Sequence, residues 1–86
     1  KWNVKVIQLI KDELKFLNKM YPKGSRIKLI YMNDPYALPS GIKGTVDFID
    51  DEGQIHVKWD NGNLLALIHG VDKFEKIYEK NINYER

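Results

Sequence analysis

Residues 54–62, with the sequence QIHVKWDNG, have the clearest strand pattern in the chain. Apolar and polar residues alternate along its first six positions, with the apolar ones at Ile55, Val57 and Trp59. This two-residue period predicts a β-strand with one face in the core. Asn61 and Gly62 suit the positive φ angles of a two-residue type I′ turn, so the next apolar run, residues 64–68, is predicted to pair antiparallel with this strand.

Two earlier runs, residues 26–32 and 44–49, alternate in the same way and predict two more strands. In the second of them Val46 and Phe48 are expected on one face. Residues 50–53 predict the turn that follows it, residues 71–74 a single helical turn, and residues 76–78 a fifth strand. With the long first loop, residues 33–42, this order predicts a mainly β protein, a five-stranded SH3-like barrel. An OB-fold is less suitable, because the 60–62 turn leaves no room for its usual helix.

An amphipathic α-helix is predicted before the barrel, from Val4 to Met20. Apolar residues recur there at steps of three and four, namely Ile7, Ile10, Leu14 and Leu17. Pro22 and Gly24 end the helix. The predicted organisation is therefore a helix over 1–20, a barrel over 21–80 and a frayed tail over 81–86. Further apolar residues widen the helical stripe beyond what one small sheet needs, which predicts a homodimer through this helix; they are Val6, Leu9, Phe16 and Met20.

Length and composition limit the class of protein. The chain has 86 residues, enough for one core, and no cysteine, which excludes disulfides and thiolate metal sites. A cytoplasmic location is expected, and no apolar run is long enough for a membrane span. The net charge is +2, with +6 on residues 1–28 and −4 on the remainder. This balance is far from that of a strongly basic nucleic-acid binder.

Four short motifs resemble a bacterial and phage family of domains of unknown function. They are YPKG at 21–24, MNDPY at 32–36, GIKGTV at 41–46 and VKWDNG at 57–62. The resemblance covers residues 21 to about 77, with the helix outside it, and Asn33 stands where the pattern favours an acid. It implies an SH3-like fold and an origin in phages or mobile elements, and it implies no activity.

The first long loop is the predicted partner-binding site. It contains an acid, an aromatic residue and two prolines, which reduce the entropy lost on binding. The alternative interpretation is that the prolines only shape a crossover and that Tyr36 lies flat on the barrel. The predicted binding residues are Asn33, Asp34, Tyr36 and Leu38, together with Trp59, which its strand pattern also fits to the core.

Two charged groups support alternative functions. An acidic surface around the 50–53 turn could occupy a DNA groove, as in a phage-type inhibitor of a host nuclease or defence complex; it consists of Asp47, Asp50, Asp51 and Glu52. A basic ridge recurs every fourth residue along the helix and could follow a phosphate backbone; it consists of Lys11, Lys15 and Lys19. A solvated turn and the solvent face of a helix explain the same residues without any function.

Catalysis is not predicted. The two histidines, His56 and His69, lie on different elements, and no third ligand completes a zinc site. Ser25 and Ser40 have no recognisable base nearby, and no glycine-rich phosphate loop precedes a helix. We therefore expect a non-catalytic binding module without metal or cofactor that binds a protein partner, with nucleic-acid binding through the basic ridge as an alternative.

Overall fold

The computed structural model describes residues 4–78. They form one helix and five strands: α1 (Val4–Met20), β1 (Arg26–Tyr31), β2 (Lys43–Ile49), β3 (Gln54–Trp59), β4 (Leu67–Ile68) and β5 (Lys73–Ile77). The strands make one antiparallel sheet in the order β4-β3-β2-β1-β5, so β4 and β5 are its edges and the sheet is barrel-like rather than closed. The predicted mainly β fold with an N-terminal helix is confirmed. No helix within residues 4–78 is long and apolar enough to cross a bilayer.

The core lies on the inner face of the curved sheet. Its buried side chains are Ile27, Leu29, Met32, Val46, Ile55, Val57, Trp59 and Leu67. Gly44 permits the closest approach of β2 to β3, because a Cβ there would lie 2.6 Å from Cγ1 of Val57 and 2.8 Å from Cε3 of Trp59. The alternation read from residues 54–62 therefore identified the centre of the core correctly.

A β-bulge at Asp47 changes which residues of β2 face the core. Val46 pairs with Val57, but two positions later Phe48 pairs with His56, so β2 contains one extra residue. Phe48 therefore lies on the outer face, where it is 52% exposed, and Ile49 packs against the core instead. The prediction that Val46 and Phe48 share a face is wrong for this reason.

The turn between β3 and β4 is longer than predicted. The N–H of Gly62 donates to the carbonyl of Trp59 at 2.8 Å, and the N–H of Trp59 donates to the carbonyl of Asn63 at 3.0 Å. Gly62 has φ near 90°, whereas no non-glycine residue among 4–78 has a positive φ. The loop therefore has three residues with glycine in the left-handed position, and the type I′ turn predicted at Asn61 and Gly62 is wrong.

Strand β4 is shorter than the predicted run 64–68. The side-chain oxygens of Asn61 and Asn63 accept hydrogen bonds from the N–H groups of Asn63 and Leu65, at 3.0 and 2.8 Å. These local bonds compete with the sheet ladder, so pairing with β3 resumes only at Leu67. The antiparallel pairing of this run with β3 is confirmed, over two residues.

Strand β5 begins at Lys73, where a helical turn was predicted over 71–74 and a strand only from residue 76. A turn does occur, but it ends at Asp72, whose N–H donates to the carbonyl of Ile68 at 2.9 Å. Phe74 already pairs with Leu29 of β1 and packs against the core. The predicted helical turn is therefore wrong beyond Asp72. The tail predicted over 81–86 lies outside the described residues.

Helix α1 has the predicted bounds and joins the sheet at its C-terminal end. Leu17 is the one buried residue among positions 4–20. Tyr21, directly after α1, packs on the Phe74 ring with 5.2 Å between centroids. The Lys76 ammonium donates to the carbonyl of Met20 at 2.9 Å, which places a cation at the negative end of the helix.

Candidate functional site

The first loop is held in one shape by its own hydrogen bonds. A carboxylate oxygen of Asp34 accepts from the N–H of Tyr36 at 2.7 Å, and the carbonyl of Asp34 accepts from the N–H of Ala37 at 3.0 Å. These two bonds form a turn around Pro35, whose ring also fixes its own φ angle. The turn presents Tyr36 to solvent with 81% of its surface exposed.

The base of the loop is anchored by Asp72, a residue that the sequence did not single out. Its side chain is buried, and its two carboxylate oxygens accept from the N–H of Asn33 at 2.9 Å and from the N–H of Ile68 at 2.8 Å. Asp72 thus ties the start of the loop to β4. On the other side, the Ser40 hydroxyl donates to the carbonyl of Ile30 at 2.8 Å. Asn33 and Asp72 are 39 positions apart, so no local sequence pattern indicates their contact.

The five predicted binding residues do not form one surface. Asn33 and Tyr36 are exposed and Asp34 is half-buried, whereas Leu38 packs against the core. Trp59 is 3% exposed, and its indole N–H donates to the carbonyl of Leu65 at 2.8 Å. The structure therefore places Trp59 inside the core, and the exposed part of the predicted site is the tip of the loop.

The four predicted acidic residues have different surroundings: Asp47 and Asp50 contact neighbouring groups, and Asp51 and Glu52 are at the tip of the turn. Asp47 lies 3.6 Å from the Lys23 ammonium. Asp50 accepts hydrogen bonds from the N–H groups of Glu52 and Gln54, both at 2.9 Å. The side chains of Asp51 and Glu52 are exposed at the tip of the turn. The acidic surface is therefore not one continuous row of open carboxylates.

Phe48, Asp50 and His56, which we call the Phe48 cluster, lie together on the outer face of β2 and β3. The His56 ring stacks on the Phe48 ring, with 4.2 Å between centroids and 7° between planes. Its Nε2 lies 2.8 Å from a carboxylate oxygen of Asp50. This hydrogen bond, helped by the two backbone N–H donors, lowers the pKa of the Asp50 carboxyl below its ordinary value. No local pattern in the sequence indicates this cluster, because the bulge at Asp47 creates it.

The basic ridge lies on the solvent side of α1, where Lys11, Lys15 and Lys19 are all exposed. No arginine of the described part of the chain adds to it. The two terminal guanidinium nitrogens of Arg26 donate to the Asp60 carboxylate, at 2.8 and 2.9 Å, and Nη1 also donates to the Thr45 hydroxyl. The hydrogen bond with Arg26 lowers the pKa of Asp60.

The histidines have separate neighbours. His69 lies 3.7 Å from the Glu13 carboxylate and packs edge-on against Phe16, so it belongs to the contact between α1 and the segment that follows β4. His56 belongs to the Phe48 cluster. Within residues 4–78, no group of three or more histidine or carboxylate side chains could hold a metal ion.

Comparison with known proteins identifies a family but no individual relative. Neither the curated proteins nor the solved structures contain a match to this chain. Residues 10–77 match one family, whose description is Domain of unknown function (DUF4314). The match covers the whole sheet and begins inside α1, so the C-terminal part of the helix, which the motif resemblance left out, is included. Because the match spans most of the 86 residues, this chain belongs to the DUF4314 family.

Proposed function

We propose that this domain is a non-catalytic binding module, an SH3-like barrel of phage or mobile-element origin that binds a protein partner through its first loop. The strand order supports the fold, because β5 lies beside β1 and the remaining strands follow in sequence, as in SH3-like barrels. The four short motifs of the sequence support the origin. The exposed tip of the first loop supports the binding function.

Tyr36 is the observation that carries the proposal. An exposed tyrosine on a flexible loop would lose entropy on binding, but here the Asp34 turn holds the backbone around it, and the Asp72 and Ser40 contacts fix the two sides of the loop. A rigid aromatic side chain offers a large contact area at a low entropic cost, and tyrosine is enriched at the residues that dominate interface energies.

The composition of the loop indicates the chemistry of its partner. Asp34 is the single charged residue among positions 33–42. Binding should therefore depend on burial of the tyrosine ring and on hydrogen bonds, and it should change little with salt. Nucleic-acid binding through the lysine ridge would weaken steeply as salt rises, because bound counterions are released.

The test is an affinity capture followed by a binding measurement. The native domain, Tyr36→Ala and the control Tyr78→Ala are used to capture proteins from a bacterial lysate, with and without nuclease. Tyr78 is a suitable control because it is 83% exposed, like Tyr36, but lies at the end of β5. A retained protein is then purified and its affinity measured at two salt concentrations.

We expect one protein to be retained after nuclease treatment, and Tyr36→Ala to weaken its binding by about 30-fold or more, as for a residue that contributes about 2 kcal/mol. Tyr78→Ala should leave the affinity unchanged. Equal effects of the two substitutions would refute the loop as the site. If the nuclease treatment abolishes retention, nucleic-acid binding through the basic ridge is favoured instead. If the retained protein is itself a nuclease and its retention depends on Asp51 and Glu52, the function as an inhibitor of a host nuclease is favoured.

A further inference from the structure

The N-terminal part of α1 carries apolar side chains that the sheet does not bury. A helix of 17 residues is about 25 Å long, and its buried contact lies at Leu17, near the C-terminal end. Toward the other end, Leu9 is 64% and Ile10 is 41% exposed, and with Val6 and Leu14 they form one apolar face. Exposed apolar side chains that are clustered on one helix face, rather than scattered, mark an interaction surface.

A groove lies beneath this part of the helix. It has a volume of about 510 Å³ and is bounded by α1 on one side and by the β2–β3 turn, residues 51–53, on the other. The helix lines it with apolar side chains, among them Leu9, Ile10 and Leu14. The charged residues of the lining are all acidic: Glu13, Asp51 and Glu52.

The occupant of such a groove should be apolar with a basic flank, and α1 itself has both properties. Its apolar residues follow the helical period, and Lys5 lies one turn before Leu9 at the edge of the apolar face, whereas the lysines of the basic ridge face solvent. We infer that the groove is filled by α1 of a second copy of this chain, so that the domain is a homodimer. The two helices cross in antiparallel orientation near Leu9, and each lies in the groove of the other.

Symmetry and charge favour this arrangement. A two-fold axis lets the same patch serve both copies, and the antiparallel orientation places opposite ends of the helix dipoles together. With the crossing at Leu9, position 5 of one helix lies opposite position 13 of the other, so Lys5 of each copy faces Glu13 of the other, beside the acidic turn. This surface is separate from the first loop, so the inference does not depend on the proposed function.

Mass measurement over a range of concentrations is the first test. Sedimentation equilibrium of the full chain should give the dimer mass at high concentration. Leu9→Arg should raise the dissociation constant at least about tenfold, because it places a cation in the apolar contact. Leu64→Arg is the matched control, since Leu64 is 70% exposed but lies outside the groove lining, and it should leave the dimer intact. A monomer mass for the native chain at every concentration would refute the dimer.

Charge and geometry are tested separately. The double substitution Asp51→Lys, Glu52→Lys should weaken the dimer, and so should high salt, because both reduce the attraction between the turn and the partner helix. The chain has no cysteine, so one introduced thiol reports only on its own position. Leu9→Cys should form a disulfide between copies at the crossing point, whereas Lys15→Cys, on the opposite face of α1, should not. Crosslinking at Lys15 without crosslinking at Leu9 would show that the copies meet through another face.

Discussion

The sheet and the helix of this domain use their apolar residues differently. Most apolar residues on the inner face of β1, β2 and β3 are buried, and Ile27, Val46 and Ile55 are 0 to 1% exposed. In α1, one apolar residue, Leu17, is buried to the same extent, and most of the others remain open to solvent. Periodicity alone therefore identifies the apolar face of an element but not the part of that face that another element covers.

The largest expected effect is a difference in unfolding free energy between substitutions at the two ends of α1. Leu17→Ala should lower the free energy of unfolding by about 2 to 5 kcal/mol, since it leaves a cavity between the helix and the β2–β3 turn. Leu9→Ala, the same change on the same helix, should cost less than about 0.5 kcal/mol in the monomer, because Leu9 is exposed.

Urea unfolding of both variants, at a concentration where the chain is monomeric, measures this difference. The native chain under the same conditions is the reference. Equal losses of stability at the two positions would mean that the N-terminal part of α1 packs on the sheet after all.

The next effect tests the sheet side of the comparison. Gly44→Ala should cost about 1 to 3 kcal/mol, because the added Cβ meets Val57 and Trp59 well inside van der Waals distance. Lys58→Ala on the neighbouring strand is the control; its side chain is exposed, and its cost should stay within about 0.5 kcal/mol. Thermal unfolding followed by circular dichroism measures both, and an unchanged Gly44→Ala variant would show that β2 and β3 can separate without loss.

Local patterns predicted those parts of the fold that depend on near neighbours in the chain. The bounds of α1 and β3 follow from periodicity and from Pro22 and Gly24. The alternation predicted for β1 is correct for Ile27 and Leu29 but fails at Tyr31, which is 57% exposed because the register shifts before it. The prediction for β2 failed at Asp47, since one extra residue exchanges the two faces of a strand and no residue type marks it. The start of β5 was misplaced because pairing with β1, more than 40 positions away, decided it.

The candidate site was predictable only in part. Exposure of Tyr36 and the turn around Pro35 follow from turn-forming residues, which the sequence displays. The placement of Trp59 in the core follows from its strand face, and the competing interpretation as a binding residue would have needed a ring at the surface. Asp72 and the Phe48 cluster depend on contacts between distant segments and on the bulge, so they required the structure.

The smallest expected effect concerns the β2–β3 turn, where the sheet approaches the helix. The pKa of the Asp50 carboxyl is lowered in the folded protein, first by its hydrogen bond with His56 and then by two backbone N–H donors. A lowered pKa means that the folded state binds this proton less readily than the unfolded state. The stabilisation is therefore present above the unfolded value of 3.8 and is lost as pH falls through the folded value.

Asp50→Asn should remove that part of the acid dependence while leaving the stability of the chain below this range nearly unchanged. Asp51→Asn is the matched control, because Asp51 lies in the same turn with its side chain exposed, and it should preserve the native pH profile. Unfolding by urea at a series of pH values between neutral and about 2, a range that spans ordinary aspartate pKa values, measures the difference. If both variants lost the same acid dependence, the general charge of the turn, and not the bond between Asp50 and His56, would be its source.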